Sequence, residues 1–267
     1  MPGEPGLPLR AAIPRKTALA RLTVAFDEVI ATDQGAGQIN QAMKRPHPKN
    51  VKFRIARAGA SGLAERSVDL MTCAQAFHWL VPLDLHEYYH EVERVLKPGG
   101  VFAVWCYAQP RVSEPIDPIV NELYNSKELW SYWAHWRPVL DDAYRCLRLP
   151  FGTNQCEFEY KMRKTWTLTR FEDYLRTWPA IAQSRQNNDY DCLFYVQDVL
   201  QRIEHAWGAA GLARTIEWNV IGRVDIRQTR LCLALVMRTL GLVALGTLVN
   251  AKNTENLKAS DLRTTVH

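Results

Sequence analysis

Hydrophobic and polar positions alternate most clearly between residues 66 and 107, where the pattern predicts a strand followed by a helix. The short apolar run Ser67–Thr72 contains a single carboxylate and predicts a strand. Between Leu85 and Leu96, apolar side chains recur at the spacing of an amphipathic helix. The opposite side of that helix, which we expect to face solvent, carries the charged residues Glu87, Glu91, Glu93 and Arg94.

The segment after this helix predicts a turn and a second strand. Lys97-Pro98-Gly99-Gly100 combines a proline, which cannot continue a helix, with glycines, which adopt positive φ without strain. Val101–Tyr107 is then nearly all apolar, as expected for a strand buried on both faces. Strand, helix and strand together form a βαβ unit, whose crossover is right-handed almost without exception.

Strands and helices also alternate before this unit. Lys16–Ala25 predicts a short helix, Val29–Asp33 a strand, Gln38–Met43 a helix and Val51–Ile55 a second strand. This alternation is typical of an α/β protein with a doubly wound, mostly parallel sheet. In such sheets a ligand binds outside the carboxyl ends of the strands, which is where Asp33 stands.

The second half of the chain predicts further elements. These are a strand at Phe158–Leu168, a helix capped by Thr169, a helix at Cys192–Trp207 and a final strand at Arg214–Val224.

The composition is that of an ordinary globular protein of 267 residues, long enough for one large domain. Its net charge of +5 is mild and not clustered, so nucleic acid is not an expected partner. The six cysteines are dispersed without a CxxC pair, which favours reduced thiols in the cytoplasm over disulfides or a zinc site. Residues 1–16 hold four prolines and no apolar run of the kind that secretory signals contain.

Two stretches carry a resemblance to a known family. SVDLMTCAQAFHW and EVERVLKPGGVFAVW resemble the fourth and fifth strands, and the helix between them, of class I S-adenosylmethionine (SAM) methyltransferases. The QAFHW wording is most similar to the branch that contains trans-aconitate methyltransferase. The resemblance covers roughly residues 18–226. It implies a Rossmann-like methyltransferase sheet with a helical cap, SAM as cofactor and a small-molecule substrate.

On this basis we expect three regions: a flexible arm over residues 1–15, a methyltransferase-like domain over 16–226 and a divergent tail over 227–267. The resemblance implies a cap at about 111–150 and 169–207. In the tail, Leu231–Val249 is about long enough to span a bilayer, but Arg238 at its centre disfavours insertion. We therefore expect no membrane partner, and a helix there that is either docked on the sheet or prone to aggregate. The sequence leaves the oligomeric state open.

The resemblance assigns cofactor contacts at three strand ends. FDEVIATD matches the family's second strand, whose terminal acid, here Asp33, accepts hydrogen bonds from both ribose hydroxyls. A carboxylate suits a vicinal diol because it offers two acceptor oxygens. Gly59 stands where the family usually has an acidic or polar residue beside the adenine, which leaves only backbone contacts. The cofactor residues implied in this way are Asp33, Gln34, Ala58, Gly59, Ala60, Cys73 and Ala74.

In this family a glycine-rich loop follows the first strand. No segment of this sequence corresponds to that loop at the spacing that the family requires. Residues 33–37 (DQGAG) are similar in wording, but only one helix and one strand fit between them and Asp69. Residues 1–15 contain no such strand either. We therefore expect an N-terminally incomplete sheet with open backbone groups in its middle. A truncated or alternatively spliced product, or a wrong first exon, would explain that pattern.

The resemblance also implies substrate contacts. His78 is expected to donate a hydrogen bond to a substrate carboxylate or carbonyl and Trp79 to form an apolar wall; the alternative is a structural histidine bonded to backbone. Tyr107, Arg176 and Trp178 complete the expected set, with Arg176 as an anion partner or else a solvated arginine. No catalytic base is assigned, because a carboxylate that attacks an activated methyl group needs alignment and not deprotonation.

Two other functions stay open. His86-Glu87-Tyr88-Tyr89-His90 is a literal HExxH, which on a helix can bind zinc, with Glu87 as base and Glu114 as third ligand. We do not expect a metal, because this segment lies in the crossover helix whose apolar face covers the sheet. The other alternative is a cofactor-free remnant of a methyltransferase without activity.

Overall fold

The computed structural model describes residues 22–23, 25–133, 135, 137–152, 155–209, 211–227 and 263–266; for residues 82–84 and 263–266 it describes the backbone. The described residues form a sheet with the strand order β2-β1-β7-β3-β4-β6-β5. The strands are β1 (Glu28–Asp33), β2 (Val51–Ile55), β3 (Val68–Ala74), β4 (Leu96–Tyr107), β5 (Gln155–Trp166), β6 (Arg214–Ile226) and β7 (Arg263–Val266). The helices are α1 (Ala36–Met43), α2 (Val81–Val95), α3 (Asp117–Asn125), α4 (Lys127–Trp130), α5 (Arg137–Asp141), α6 (Leu168–Leu175), α7 (Pro179–Gln186) and α8 (Tyr190–Trp207), with a 3-10 turn at Phe77–Trp79.

The predicted βαβ unit is confirmed as β3, α2 and β4. Strands β3 and β4 are parallel neighbours, paired from Leu70 with Val101 to Ala74 with Trp105. Both are almost completely buried, as their apolar runs predict. Together with the parallel pairs of β1 with β2 and of β7 with β1 and β3, this unit makes a mostly parallel α/β sheet.

The predicted turn at Lys97-Pro98-Gly99-Gly100 is instead an irregular start of β4. Helix α2 ends at Val95, and β4 begins at the next residue. Val68 pairs with Leu96, yet Leu70 already pairs with Val101, so the four residues bulge out of the ladder. Glycine is needed here because Gly99 has a φ of 80° and a Cβ on Gly100 would lie 2.8 Å from the Lys97 carbonyl oxygen.

Helix α2 buries the predicted apolar face, but the prediction for one of its charged residues is wrong. Tyr88, Val92 and Val95 are buried. Glu91, expected to face solvent, is 5% exposed and accepts hydrogen bonds from the Ser61 backbone (2.9 Å) and from the Arg94 guanidinium (2.8 Å). A carboxylate tolerates such burial only with donors of this kind.

The expected row of open backbone groups in the middle of the sheet is also not observed. Strand β7 lies between β1 and β3 and is parallel to both. Its residues pair with Glu28–Ala31 on one side and with Leu70–Thr72 on the other. The central position is therefore filled by a strand from the region predicted as a divergent tail.

The chain divides into two compact units. The first comprises residues 1–106, 142–158 and 221–267 and contains all or part of each strand. The second comprises residues 107–141 and 159–220. Its apolar core joins α3, α6, α7 and α8 through Leu123, Phe171, Ile181 and Ile203, all fully buried. The expected boundaries of a 16–226 domain and of its cap stay predictions.

Several expectations fall partly or wholly outside the described residues, namely the arm at 1–15, most of the helix at Lys16–Ala25 and the apolar stretch Leu231–Val249. In the part of the chain that is described, no helix has the length and apolarity needed to cross a bilayer. One cap assignment is wrong: α6 begins at Leu168, so its N-cap is Thr167 and not Thr169.

Candidate functional site

Asp33 and the end of β3 lie at the same edge of the sheet. Ala31 and Thr72 are both in register with Val266 of β7, and Asp33 and Ala74 stand two residues farther along their parallel strands. Asp33 is also in register with Ile55, the last residue of β2. Three carboxyl ends thus meet along one edge, and Asp33 and Ala74 are about 10 Å apart across two strand spacings.

The Asp33 carboxylate is held by the backbone that follows it. Its Oδ1 accepts a hydrogen bond of 2.7 Å from the Gly35 amide. Burial raises the pKa of Asp33 above its usual value, and the Gly35 bond opposes that shift only in part. The side chain is therefore half-buried and fixed, with Oδ2 as its second acceptor oxygen.

The tight turn Arg57–Ala60 follows β2 and is braced by helix α2. The Ala60 amide donates to the Arg57 carbonyl at 3.0 Å, which closes the turn. A Cβ on Gly59 would lie 2.5 Å from Cγ of Glu87 and 2.7 Å from its Cδ. Glycine at this position therefore makes room for the Glu87 side chain, whose carboxylate also lies 3.8 Å from the Arg57 guanidinium.

A second brace fixes the chain just after that turn. Both the backbone amide and the hydroxyl of Ser61 donate to Glu91. Burial raises the pKa of Glu91, but the hydrogen bonds from Arg94 and Ser61 outweigh it and hold the pKa below its usual value. The Arg54 guanidinium adds bonds to the carbonyls of Ser61 and Gly62 at 3.1 and 3.0 Å. Residues 58–60 are therefore positioned from both sides.

The other expected cofactor residues differ in what they can offer. Gln34 is exposed, and Ala58 and Ala60 are half-buried and exposed, respectively. Cys73 and Ala74 are buried, and burial raises the pKa of the Cys73 thiol to about 12. The Cys73 side chain is thus a neutral core group, and its backbone is the part that can face a ligand.

His78 is buried and bonded to a side chain from a distant part of the sequence. Its exposure is 3%, and its Nδ1 shares a hydrogen bond of 2.8 Å with the Tyr144 hydroxyl. Burial lowers the pKa of His78 to about 3, so the imidazole is neutral. The neighbouring Trp79 is half-buried, with its ring centroid 5.5 Å from that of His78. The Tyr144 hydroxyl is therefore one hydrogen-bond partner of the His78 ring.

Strand β6 holds Tyr144 in place. The buried Arg223 donates to the backbone carbonyls of Tyr144 (2.6 Å) and Leu147 (2.5 Å) and to the Gln155 side chain (2.9 Å). Arg223 therefore holds the backbone of Tyr144, and the side-chain hydroxyl of the same tyrosine bonds to His78, next to Trp79.

Tyr107, Arg176 and Trp178 belong to the second unit. Tyr107 ends β4 and is half-buried. Arg176 caps the C-terminus of α6 and donates to the Gln197 side chain at 3.1 Å. Trp178 is buried, with its ring 5.5 Å from Tyr124 and 5.9 Å from Trp133. These three residues are thus packed or partly bonded within their own unit.

The residues of the HExxH segment have different surroundings on helix α2. His86 and His90 are exposed on α2 with ring centroids 4.4 Å apart. Glu87 lies against Gly59 instead. Across the described residues, no group of three or more metal-ligating side chains is positioned to hold an ion.

Reasoning from sequence missed Tyr144, Glu87, Glu91 and Arg223 as residues that position the site. Each acts through a contact between segments that are far apart in the sequence. His78 and Tyr144, for example, are 66 positions apart. The burial of Glu91 could not be predicted from the helical period of α2. A buried glutamate and an exposed one occupy the same kind of position in the pattern of charged residues.

The edge fits a nucleoside. A fixed carboxylate with a second acceptor oxygen suits the two hydroxyls of a ribose, and a braced turn without bulky side chains at residues 58–60 suits a flat base. Residues 33 to 35, 57 to 60 and 73 to 74 are the segments that would hold it.

Comparisons with known proteins identify the family. A family model described as a methyltransferase domain matches residues 16–104. The structure of a candidate type II methyltransferase from Anaeromyxobacter dehalogenans is 31% identical, covers 80% of this chain and 87% of its own, and superimposes with a TM-score of 0.66.

Two curated relatives agree. A candidate methyltransferase from Dictyostelium discoideum is 29% identical over 185 residues, which is 68% of each chain. A Saccharomyces cerevisiae protein named as a SAM-dependent methyltransferase candidate is 30% identical over 132 residues, which is 48% of this chain and 43% of its own. The cofactor is therefore SAM, and the chain belongs to the class I SAM-dependent methyltransferase family.

Proposed function

We propose that this chain transfers the methyl group of SAM to a small molecule that carries a carboxylate. The observation that carries the proposal is the single sheet edge at which Asp33, the turn Arg57–Ala60 and the end of β3 meet. In a parallel sheet this is the edge where ligands bind. The sequence similarity to the trans-aconitate branch supports a carboxylate as the acceptor. Because the described cysteines are free thiols, we also propose the cytoplasm as the compartment.

Each part of the proposed cofactor site has a distinct role. The Asp33 carboxylate accepts hydrogen bonds from the ribose hydroxyls while its Oδ1 stays bonded to Gly35. The backbone of Ala58, Gly59 and Ala60 lies along the adenine, together with that of Cys73 and Ala74, and exposed Gln34 covers the outer side. The bound cofactor supplies a methyl group that its sulfonium sulfur has activated.

The chain's remaining task is to align the acceptor and exclude water. Trp79 forms an apolar wall, and His78, held by Tyr144, fixes the turn that carries it. Arg176 binds the substrate carboxylate, since Gln197 occupies only part of its five-donor guanidinium. Tyr107 and Trp178 contribute further apolar contact. No base is required, because the acceptor carboxylate is already ionised near neutral pH.

Replacing Asp33 by asparagine tests the cofactor part of this proposal. The amide keeps an oxygen for the Gly35 bond but loses the charge and one acceptor, so S-adenosylhomocysteine should bind at least tenfold more weakly in calorimetry. Asp27→Asn, at an exposed position just before β1, is the control and should bind like the parent. A parent chain that fails to bind, or a D33N chain that binds equally well, would contradict the proposal.

The carboxylate preference has its own test. A panel of small carboxylic acids, trans-aconitate among them, is compared with the matching amides for transfer of the methyl group from SAM. Arg176→Gln should raise KM at least fivefold for the acids with little change in kcat, because it removes ground-state binding. The exposed Arg185→Gln serves as control. Methylation of the amides at the rate of the acids would refute this preference.

A further inference from the structure

Strands β1 and β3 are held together by β7 and not by each other. Glu28–Ala31 of β1 pair with β7 on one side, and Leu70–Thr72 of β3 pair with it on the other. In the sheet order of the described strands, β7 is the neighbour that β1 and β3 share. The slot between them is therefore a binding site for a short parallel strand, and residues 263–266 of this chain occupy it.

Burial of the flanking strands makes an empty slot unfavourable. Val29 and Met71 are fully buried, and most residues of both strands are buried. Without β7, the N–H and C=O groups along the facing edges would lie unpaired in the protein interior. A strand whose backbone pairs on both sides removes that penalty.

The slot also sets the geometry of the cofactor edge. Val266 is in register with both Ala31 and Thr72, and Asp33 and Ala74 stand two residues beyond those partners. The separation between the ribose-binding acid and the end of β3 is therefore fixed by the width of one intervening strand. A ligand that contacts both ends favours the state in which β7 is docked.

We propose that residues 263–266 act as a docking strand that completes the cofactor site, and that strand docking and cofactor binding strengthen each other. The coupling rests on the proposed function, whereas the docking does not. Residues 227–262 lie between β6 and β7 in the sequence, and the entropic cost of closing a long connection grows only slowly with its length. By thermodynamic linkage, strand docking raises the affinity for the cofactor by a certain factor. Cofactor binding then raises the equilibrium constant for docking by the same factor.

Hydrogen exchange on the full chain tests the docking directly. Backbone amides in 263–266 should exchange at least a hundredfold more slowly than in an unstructured peptide of the same sequence, together with those of β1 and β3. Added S-adenosylhomocysteine should slow them further. Random-coil exchange in 263–266 while β1 and β3 stay protected would overturn the inference.

A matched pair of variants tests the role of the backbone. Thr264→Pro removes an N–H from the strand, whereas Thr264→Val keeps the N–H and the branched Cβ. The proline variant should lose protection in 263–266 and bind S-adenosylhomocysteine at least tenfold more weakly; the valine variant should match the parent within twofold. If T264P retains full affinity, the coupling is wrong. If it fails to fold, the exchange pattern of the parent chain decides.

The remaining outcomes separate this inference from the proposed function. Protected 263–266 amides in a parent chain that does not bind S-adenosylhomocysteine would keep the docking and refute the cofactor proposal. Light scattering identifies the source of the strand. A protected segment in a dimer that dissociates when 263–267 are deleted would mean that β7 comes from a second copy, which contradicts docking within one chain.

Discussion

Two glycines of the first unit differ in what a methyl group would meet. A Cβ at Gly59 would lie 2.5 Å from Cγ of Glu87, whereas a Cβ at Gly37, in helix α1, would meet nothing within 4 Å. Gly59→Ala should therefore lower the free energy of unfolding by about 1 kcal/mol, because the half-exposed Glu87 can move only at some strain. Gly37→Ala should raise it by about 0.5 to 1 kcal/mol.

Urea denaturation measures both effects. Glu87→Ala introduced together with Gly59→Ala should recover most of the loss, since the two residues are in contact and their effects are not additive. Equal stability losses for Gly59→Ala with and without Glu87 would show that the contact is unimportant.

The buried His78 makes the fold sensitive to acid. Burial lowers its pKa from 6.5 to about 3 in the folded chain, so only the unfolded chain takes up a proton between these values. The neutral His78 therefore contributes its full share to the free energy of unfolding above pH 6.5. This share is lost as the pH falls from 6.5 towards 3. At pH 5 the loss amounts to about 2 kcal/mol.

Denaturation curves at pH 7 and pH 5 check this expectation. His78→Gln should be less stable at pH 7 but should lose less stability on acidification than the parent. The exposed His205→Gln is the control and should keep the parent's pH dependence. A His78→Gln chain whose stability falls as steeply as the parent's would exclude the histidine as the source.

At the scale of elements, a phenylalanine ring of β5 packs directly against a glycine of β6. A Cβ at Gly222 in β6 would lie 2.1 Å from Cζ of the Phe158 ring in β5. Gly222→Ala should destabilise the chain by about 1 to 3 kcal/mol, because the ring must leave its site. Phe158→Ala in the same chain should relieve that clash, so thermal melts of the single and double variants should show strong non-additivity.

The βαβ unit was predictable because its signals are local. The apolar run of β3, the helical period of α2 and the glycines after it each lie within a few residues, and their order implies the parallel pairing. The position of β7 was not predictable in this way. Arg263–Val266 is short and contains two threonines, and its partners Glu28–Ala31 are more than 230 residues away.

The candidate site likewise has parts that local sequence predicts and parts that it does not. Asp33 at a strand end could be read from the sequence, and so could the residues that follow β3. The contacts that fix them could not, because Ser61 with Glu91 and His78 with Tyr144 join segments 30 and 66 residues apart.

For the whole molecule, cofactor binding should appear as added stability. A ligand that binds only the folded chain stabilises it by about 2.7 kcal/mol at a concentration of 100 Kd. For a chain of this size that raises the midpoint of thermal unfolding by roughly 5 to 10 °C. Differential scanning fluorimetry with S-adenosylhomocysteine should show this shift, and the same ligand concentration should give a clearly smaller one with D33N. Adenosine at equal concentration, which lacks the amino acid part, controls for weak nucleoside binding; an identical shift for both would argue against recognition of the whole cofactor.

The bonds that Tyr144 makes, through its backbone to Arg223 and through its hydroxyl to His78, bear on how this enzyme can be redesigned. His78 holds the turn that carries Trp79, so under the proposed role of Trp79 as a wall of the acceptor site, libraries that vary position 79 alone should explore new acceptor shapes on an unchanged backbone. Libraries that also vary position 78 or 144 would break the hydrogen bond between these two residues. Fewer of their variants would fold. Selection for a new acceptor is therefore best begun at Trp79, with the anchoring histidine and tyrosine left intact.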